Sequence, residues 1–293
     1  MSSGWTSRLG ENIEPGSWSA CVDLLLSSGG DDALYRGQRR FEWELLASLE
    51  RVLLSYAERH DKRRHGLLMS MSADSETEEW VRDVELEMMQ RFRQRAMHFG
   101  VPGLPEAWDI LGWWELMQHH GAPTRLMDWT TSPFVAIWFA LDGHVDGEGD
   151  MALWVYDRAN ASVNLRQEME RLRAGEDYEL LDDRQVQNRL VKFVIEARRG
   201  VLVPVRPRQF ARAVAQQSIV TVSPDIGVGR PASWWMRGKL ATRIRLQEKW
   251  KPEMQAACQS MGLSRVGLFR DLDSLGGSIG RDFMNRVSRS DLF

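Results

Sequence analysis

Residues 118–141 read QHHGAPTRLMDWTTSPFVAIWFAL, and the two halves of this stretch obey different rules. Ser132 suits a helix N-cap, and Pro133 suits the first helical position, where its missing N–H costs nothing. Phe134, Val135, Ile137, Trp138 and Leu141 then form a short helix that is apolar almost all round, so it is expected to be buried. The first half crowds His119, His120, Thr124, Arg125, Asp128, Trp129, Thr130 and Thr131 against the mouth of that helix. Buried polar groups need partners. The stretch is therefore either a satisfied structural network or a ligand pocket floored by a helix N-terminus, which favours anions.

On either side the pattern alternates between helix and strand. Residues 1–17 are polar and read as weakly ordered, and residues 18–26 read as a short helix that Gly29-Gly30 ends. Residues 33–38 (ALYRGQ) read as a brief strand running into a turn. Phe41, Leu45, Leu49, Val52, Leu53 and Tyr56 recur at helical spacing and predict a helix to about Arg59, followed by a basic, solvated loop over 59–65. Ser75 with Glu78 forms a capping box opening a long helix that Gly100 terminates. A further helix is predicted over 105–117, with Trp108, Leu111 and Trp114 in the core.

Strands are predicted at 151–156, 191–195, 201–205, 219–222 and 240–246, and helices at 160–174 and between Pro252 and Gly262. Helices dominate the first half and strands the second, an α+β pattern.

Composition narrows the class. The 293 residues are 43% hydrophobic and 27% charged, with no run long enough for a membrane span and no basic-then-apolar leader. No partner in a membrane is expected. The two cysteines, Cys21 and Cys258, stand alone, so neither a zinc site nor a disulfide framework is expected and a reducing cytoplasm is the simplest compartment. Residues 197–247 hold ten basic residues against Asp225, a local excess of nine. Such a stretch is either a surface facing a polyanion or a set of solvated and paired arginines.

Motifs for the commonest chemistries are missing: no GxxxxGK[ST], HExxH or CxxC occurs, so no metal is expected. A Ser132, His119 and Asp128 triad lacks the GxSxG elbow. Adjacent His119 and His120 point different ways, so at most one faces a given pocket. Arg125 and Asp128, three apart, pair with each other in the plainest reading. Arg36 is either a phosphate fork or a buried arginine holding carbonyls.

The run Tyr35-Arg36-Gly37-Gln38, then residues 119–130 and 132–136, resembles the FRG domain family. Residues 215–221 and 268–273 also look like that family, although Ser218 stands where it usually has a glycine. The resemblance divides the chain into an extension (1–32), an FRG domain (33–276) and a tail (277–293). The family is in turn similar in motif order to ADP-ribosyltransferases, which implies a split β-sheet core with a helical N-terminal half.

The resemblance implies NAD as substrate and casts Arg36, His120, Thr131 and Gln217 as catalytic. Tyr35, Gly37, His119, Thr124, Arg125, Asp128, Ser132 and Gln216 would then hold the dinucleotide. In this chemistry an arginine neutralises the pyrophosphate, hydroxyls orient the ribose, and a carboxylate stabilises the sugar cation as nicotinamide leaves. Gln216 and Gln217 offer no carboxylate; Glu196, Glu248 and Asp128 are the candidates, and the alternative is a nucleophile deprotonated by His119 or His120.

The implied role is an intracellular bacterial toxin or anti-phage effector acting on RNA, DNA or protein and held by a neutralising partner. The alternative is a non-catalytic module that senses a nucleotide or a partner.

Overall fold

A computed structural model describes residues 10–28, 33–70, 75–100, 102–157, 183–197, 203–205, 211–222, 241–272 and 274–279. The predicted helix over 160–174 lies outside these residues. The architecture is mixed α+β. Strands β1 (Asn12–Ile13), β2 (Ala33–Gln38), β3 (Leu126–Thr130), β4 (Met151–Asp157), β5 (Val203–Val205), β6 (Ser218–Val222) and β7 (Ala241–Leu246) form one sheet in the order β1-β7-β4-β2-β3-β6-β5. Only the β1–β7 pair is parallel among the described strands.

The sheet is unevenly stitched. β2 and β4 pair from Ala33↔Asp157 to Gln38↔Ala152, and β3 and β6 from Leu126↔Val222 to Thr130↔Ser218. Between β2 and β3, in the middle of the sheet, the register holds one residue pair, Tyr35↔Thr130. Beyond it the two strands part. The molecule thus has two well-knit half-sheets meeting along a seam.

Helices cover the sheet. α1 (Trp18–Ser28), α6 (Pro133–Leu141) and α9 (Lys251–Ser260) pack Cys21, Leu25, Ala136, Ile137, Ala140, Met254 and Cys258 against Tyr35, Leu153, Val155, Ile244 and Leu246. Desolvation pushes the Cys21 thiol up to about 12 and Cys258 up to about 11, so both are unreactive small hydrophobes. The other half-sheet presents Leu126, Val220 and Val222 to α4 (Ser75–Ala96), α5 (Ile110–His119) and α7 (Asp183–Ala197). On the opposite face Leu34, Met127, Trp129, Trp154 and Tyr156 pack with Phe41 and Leu45.

The expected cap and start of α6 hold, and its burial holds in part, since Phe134, Trp138 and Leu141 are only partly buried. Ser132 Oγ accepts from the Val135 N–H at 3.3 Å, Pro133 sits in the first turn, and Val135, Ala136, Ile137 and Ala140 are buried. α6 lies so close to β2 that a Cβ on Gly37 would stand 1.8 Å from the Ala136 carbonyl oxygen. The strand needs glycine there to admit the helix backbone.

Several expectations are corrected. Residues 10–17 are not loose: β1 joins the sheet edge, the Gly10 N–H donates to the Ala241 carbonyl and the Arg243 N–H to Glu11. α2 spans Ser48–His60, seven residues shorter at its start than the spacing predicts. Phe41 and Leu45 are buried but reach the core from irregular chain, while Val52 and Tyr56 are half exposed. The basic stretch 59–65 is not a loop; α3 (Lys62–Ser70) begins within it, and Arg63 and Arg64 pair with Glu76. α5 starts at Ile110, capped by Asp109, and Trp108 is 42% exposed rather than core. Residues 191–195 are not a strand but part of α7. Their β-branched composition yields to packing, with Val186 and Val191 against α5 and β6.

Candidate functional site in the sheet seam

Where β2 and β3 separate, a hollow of about 220 Å³ opens, lined by Tyr35, Arg36, Gly37, Asp128, Arg212 and Gln216 among others. A second hollow of about 80 Å³ adjoins it, lined by Glu115, Gln118, His119 and the shared Asp128, Arg212, Gln216 and Ser218. Together they form one cleft. One wall comes from α6, through Ala136 and Phe139. The other comes from the end of α5 and from α8 (Ala211–Ala215).

Each polar side chain arrives for a local reason. Arg36 bridges the parted strands, its Nη1 donating to the Asp128 carbonyl at 2.6 Å. Burial pushes its guanidinium down to about 10, with Asp128 opposing the shift and Arg51 adding to it. It remains a cation at neutral pH. Burial likewise lowers the Arg51 and Arg212 guanidiniums, and each also feels the charge of Asp128. Three cations thus attend one carboxylate.

The α8–β6 turn supplies amides. Gln217 has φ +48°, the left-handed region in which a side chain is uncommon, and Ser218 opens β6 directly after it. The positive φ of this turn therefore falls one residue before the position where a glycine was expected. The Thr131 N–H donates to the Gln217 carbonyl at 3.2 Å and Thr131 Oγ1 to Gln217 Oε1 at 3.1 Å, while Thr130 Oγ1 donates to the Gln216 carbonyl at 2.8 Å. Gln216 is 9% exposed, and its Nε2 finds no acceptor among the described residues. A buried amide donor without a partner costs roughly 1–3 kcal/mol, unless something else accepts from it.

The histidine pair divides as its geometry requires. The rings stand edge to face, 5.0 Å apart. His119 lines the cleft, and its pKa is lowered by desolvation first and then by His120 and Arg212, with Asp271 opposing. His120 lines a different, apolar recess.

Not every expected site residue reaches the cleft. Arg125 pairs neither with Asp128 nor with the hollow: its Nε donates to Glu85 Oε1 at 2.7 Å, its Nη2 to Glu85 Oε2, and it stacks on Trp114. Thr124 Oγ1 donates to Gln118 Oε1 and its N–H to Ser48 Oγ, which anchors α2. Ser132 caps α6. Tyr35, Arg36, Gly37, Asp128 and Gln216 line the larger hollow, whereas Thr131 and Gln217 bond to each other beside the lining Thr130 and Ser218 without lining it themselves.

Of the carboxylate candidates, Glu248 accepts from the Gly147 and Gly149 N–H groups, and Glu196 ends a helix rather than a strand. Asp128 lines the cleft. Arg212 was missed as an individual; in sequence it is one of ten basic residues, and only β3–β6 pairing carries α8 to Asp128. Among the described residues no group of His, Cys, Asp and Glu is arranged to hold a metal ion, and no helix is long and apolar enough to cross a membrane.

An α+β protein with a cation-rich cleft in the seam of its single sheet is the class that fold and site define. Residues 31–148 match the FRG domain family, and the matched stretch takes in β2, β3, α6 and with them Arg36, His119, Asp128 and Thr131. The match ends before Arg212, Gln216 and Gln217. No curated protein and no solved structure matches the chain.

Proposed function

We propose that the seam cleft binds NAD and that the protein transfers its ADP-ribose to an acceptor, as an ADP-ribosyltransferase. The observation that supports this best is the convergence of Arg36, Arg212, Asp128 and the unpartnered Gln216 amide where the two half-sheets part. A sheet split in this way is the feature that the likeness to ADP-ribosyltransferases implies.

The chemistry is one exchange at the nicotinamide ribose. The bond from its anomeric carbon to the pyridinium nitrogen breaks, nicotinamide leaves with the electron pair, and a nucleophile on the acceptor forms the new bond. The acceptor loses its proton to His119, held neutral by burial, or to water. Arg36 and Arg212 offset the pyrophosphate charge, Thr131 and Gln217 hold the rim, and Asp128 faces the positive sugar.

A toxin or defence role, with a neutralising partner, rests on the family resemblance alone. The nucleic-acid acceptor rests on the arginine excess over 197–247. Two of those arginines are already engaged: Arg243 with Asn12 and the Phe41 carbonyl, and Arg245 with Glu14 and Asp150.

A second reading has its own support. Arg36, Arg51 and Arg212 all place positive charge near Asp128, and that field offsets the stabilisation its carboxylate would give a sugar cation. A nucleotide sensor of the same pocket needs no such group. Purified protein incubated with NAD labelled in its adenylate, together with RNA, DNA or lysate protein, separates the two. Transfer of label that Asp128→Asn abolishes supports the enzyme; NAD bound in calorimetry but uncleaved supports the sensor; neither binding nor cleavage overturns both.

A further inference from the structure

Away from the seam, α4 and the end of α5 enclose a recess of about 510 Å³. Its walls are Met88, Phe92, Ala96, Leu104, Leu116, Met117 and neighbours, and its mouth carries Arg91, Arg95 and His120. Among the described residues no carboxylate lines it. Interiors normally close such spaces, because apolar walls without neighbours forfeit dispersion contacts. The volume falls within the roughly 300–1,000 Å³ of small-molecule sites.

The geometry points to a site for a small amphipathic anion, an alkyl chain ending in a carboxylate. Met88, Phe92 and Ala96 repeat at i, i+4 and i+8 and make one greasy wall of α4, with Leu116 and Met117 opposite. Arg91 and Arg95, one turn apart on α4, both line the recess and are exposed, so they add positive charge beside its opening. Among the described residues Arg91 pairs with the exposed Glu87, at 2.5 Å, a contact weak enough to yield to a competing anion. Phe99, 79% exposed at the edge, offers a ring to cover the chain. Phe99 and Leu104 bound the recess between the two helices, which suits a short chain better than the long groove a helical peptide requires.

This site is independent of the cleft reading, though the two adjoin: His120 at the mouth packs edge-on against His119 in the cleft.

Decanoate, decanol, decylamine and an acidic amphipathic helical peptide, each titrated into the full chain by calorimetry, test it. Decanoate is expected to bind saturably, at least tenfold tighter than decanol and tighter still than decylamine. Arg95→Ala, a surface change, should erase the advantage of decanoate and leave decanol unaltered. Ala96→Trp, checked for folding by circular dichroism, should fill the recess and abolish both. Equal affinity for decanoate and decylamine, indifference to Arg95→Ala, or no saturable binding overturns the assignment. Binding of the peptide but not of decanoate overturns it in favour of a protein partner.

Discussion

Gly37→Ala should be among the most damaging single-methyl changes this protein can suffer. The new Cβ would stand 1.8 Å from the Ala136 carbonyl oxygen and 2.7 Å from the Ala140 nitrogen, both backbone atoms that cannot rotate away. Ordinary contact begins near 3.4 Å, so α6 must lift off β2 by about 1.6 Å. That motion unpacks Ala136, Ile137 and Ala140 from Tyr35, Leu153 and Val155. Overpacking alone costs about 1–3 kcal/mol, and the parted layer adds a cavity cost of similar kind. We therefore expect a loss of about 3 kcal/mol or more, read as a lowered urea midpoint by circular dichroism, and loss of any ligand held against α6. A loss below about 1 kcal/mol would refute the claim that glycine is there to admit the helix.

Other expectations follow from the same contacts. Glu85→Ala removes the carboxylate that pairs with the buried Arg125 guanidinium and should cost about 3–5 kcal/mol in urea unfolding, with Glu85→Gln intermediate. Arg36→Lys keeps the charge but loses the planar fork that lets Nη1 reach the Asp128 carbonyl while other N–H groups face the cleft, so NAD affinity should fall about tenfold in calorimetry, equivalent to about 1.4 kcal/mol. His119 has its pKa lowered by folding, so the unfolded chain takes up its proton first as pH falls. Its contribution to stability is intact above about pH 6.5, erodes just below, and is fully lost under its folded value. Thermal midpoints of wild type and His119→Gln should therefore run parallel from pH 8 to 7, then diverge below 6.5 with wild type falling faster; parallel curves throughout would count against a buried His119.

How much of this was legible in advance depended on whether the deciding contact was local. The Ser132 cap, the Pro133 turn, β2, β4 and β7 are written in neighbouring residues, and they stand where the sequence places them. The start of α2 was not, because Phe41 and Leu45 keep helical spacing with Leu49 while reaching their core from irregular chain. Arg125 shows the limit most clearly. Its partner lies 40 residues upstream on α4, and no pattern near Asp128 betrays it. The cleft was readable as a gathering of residue types around Asp128 and Gln216, but the contributions of Arg51 and Arg212 depend on long-range packing.

The lone Tyr35↔Thr130 rung has a mechanical consequence. Each half-sheet is a rigid plate, while the joint between them is little more than a pin, so widening the gap breaks few backbone bonds. Amide exchange should be fastest for N–H groups bordering that joint. A guest laid across it, gripped by Arg36 on one plate and Gln216 on the other, would act as the missing cross-ties and turn two plates into one.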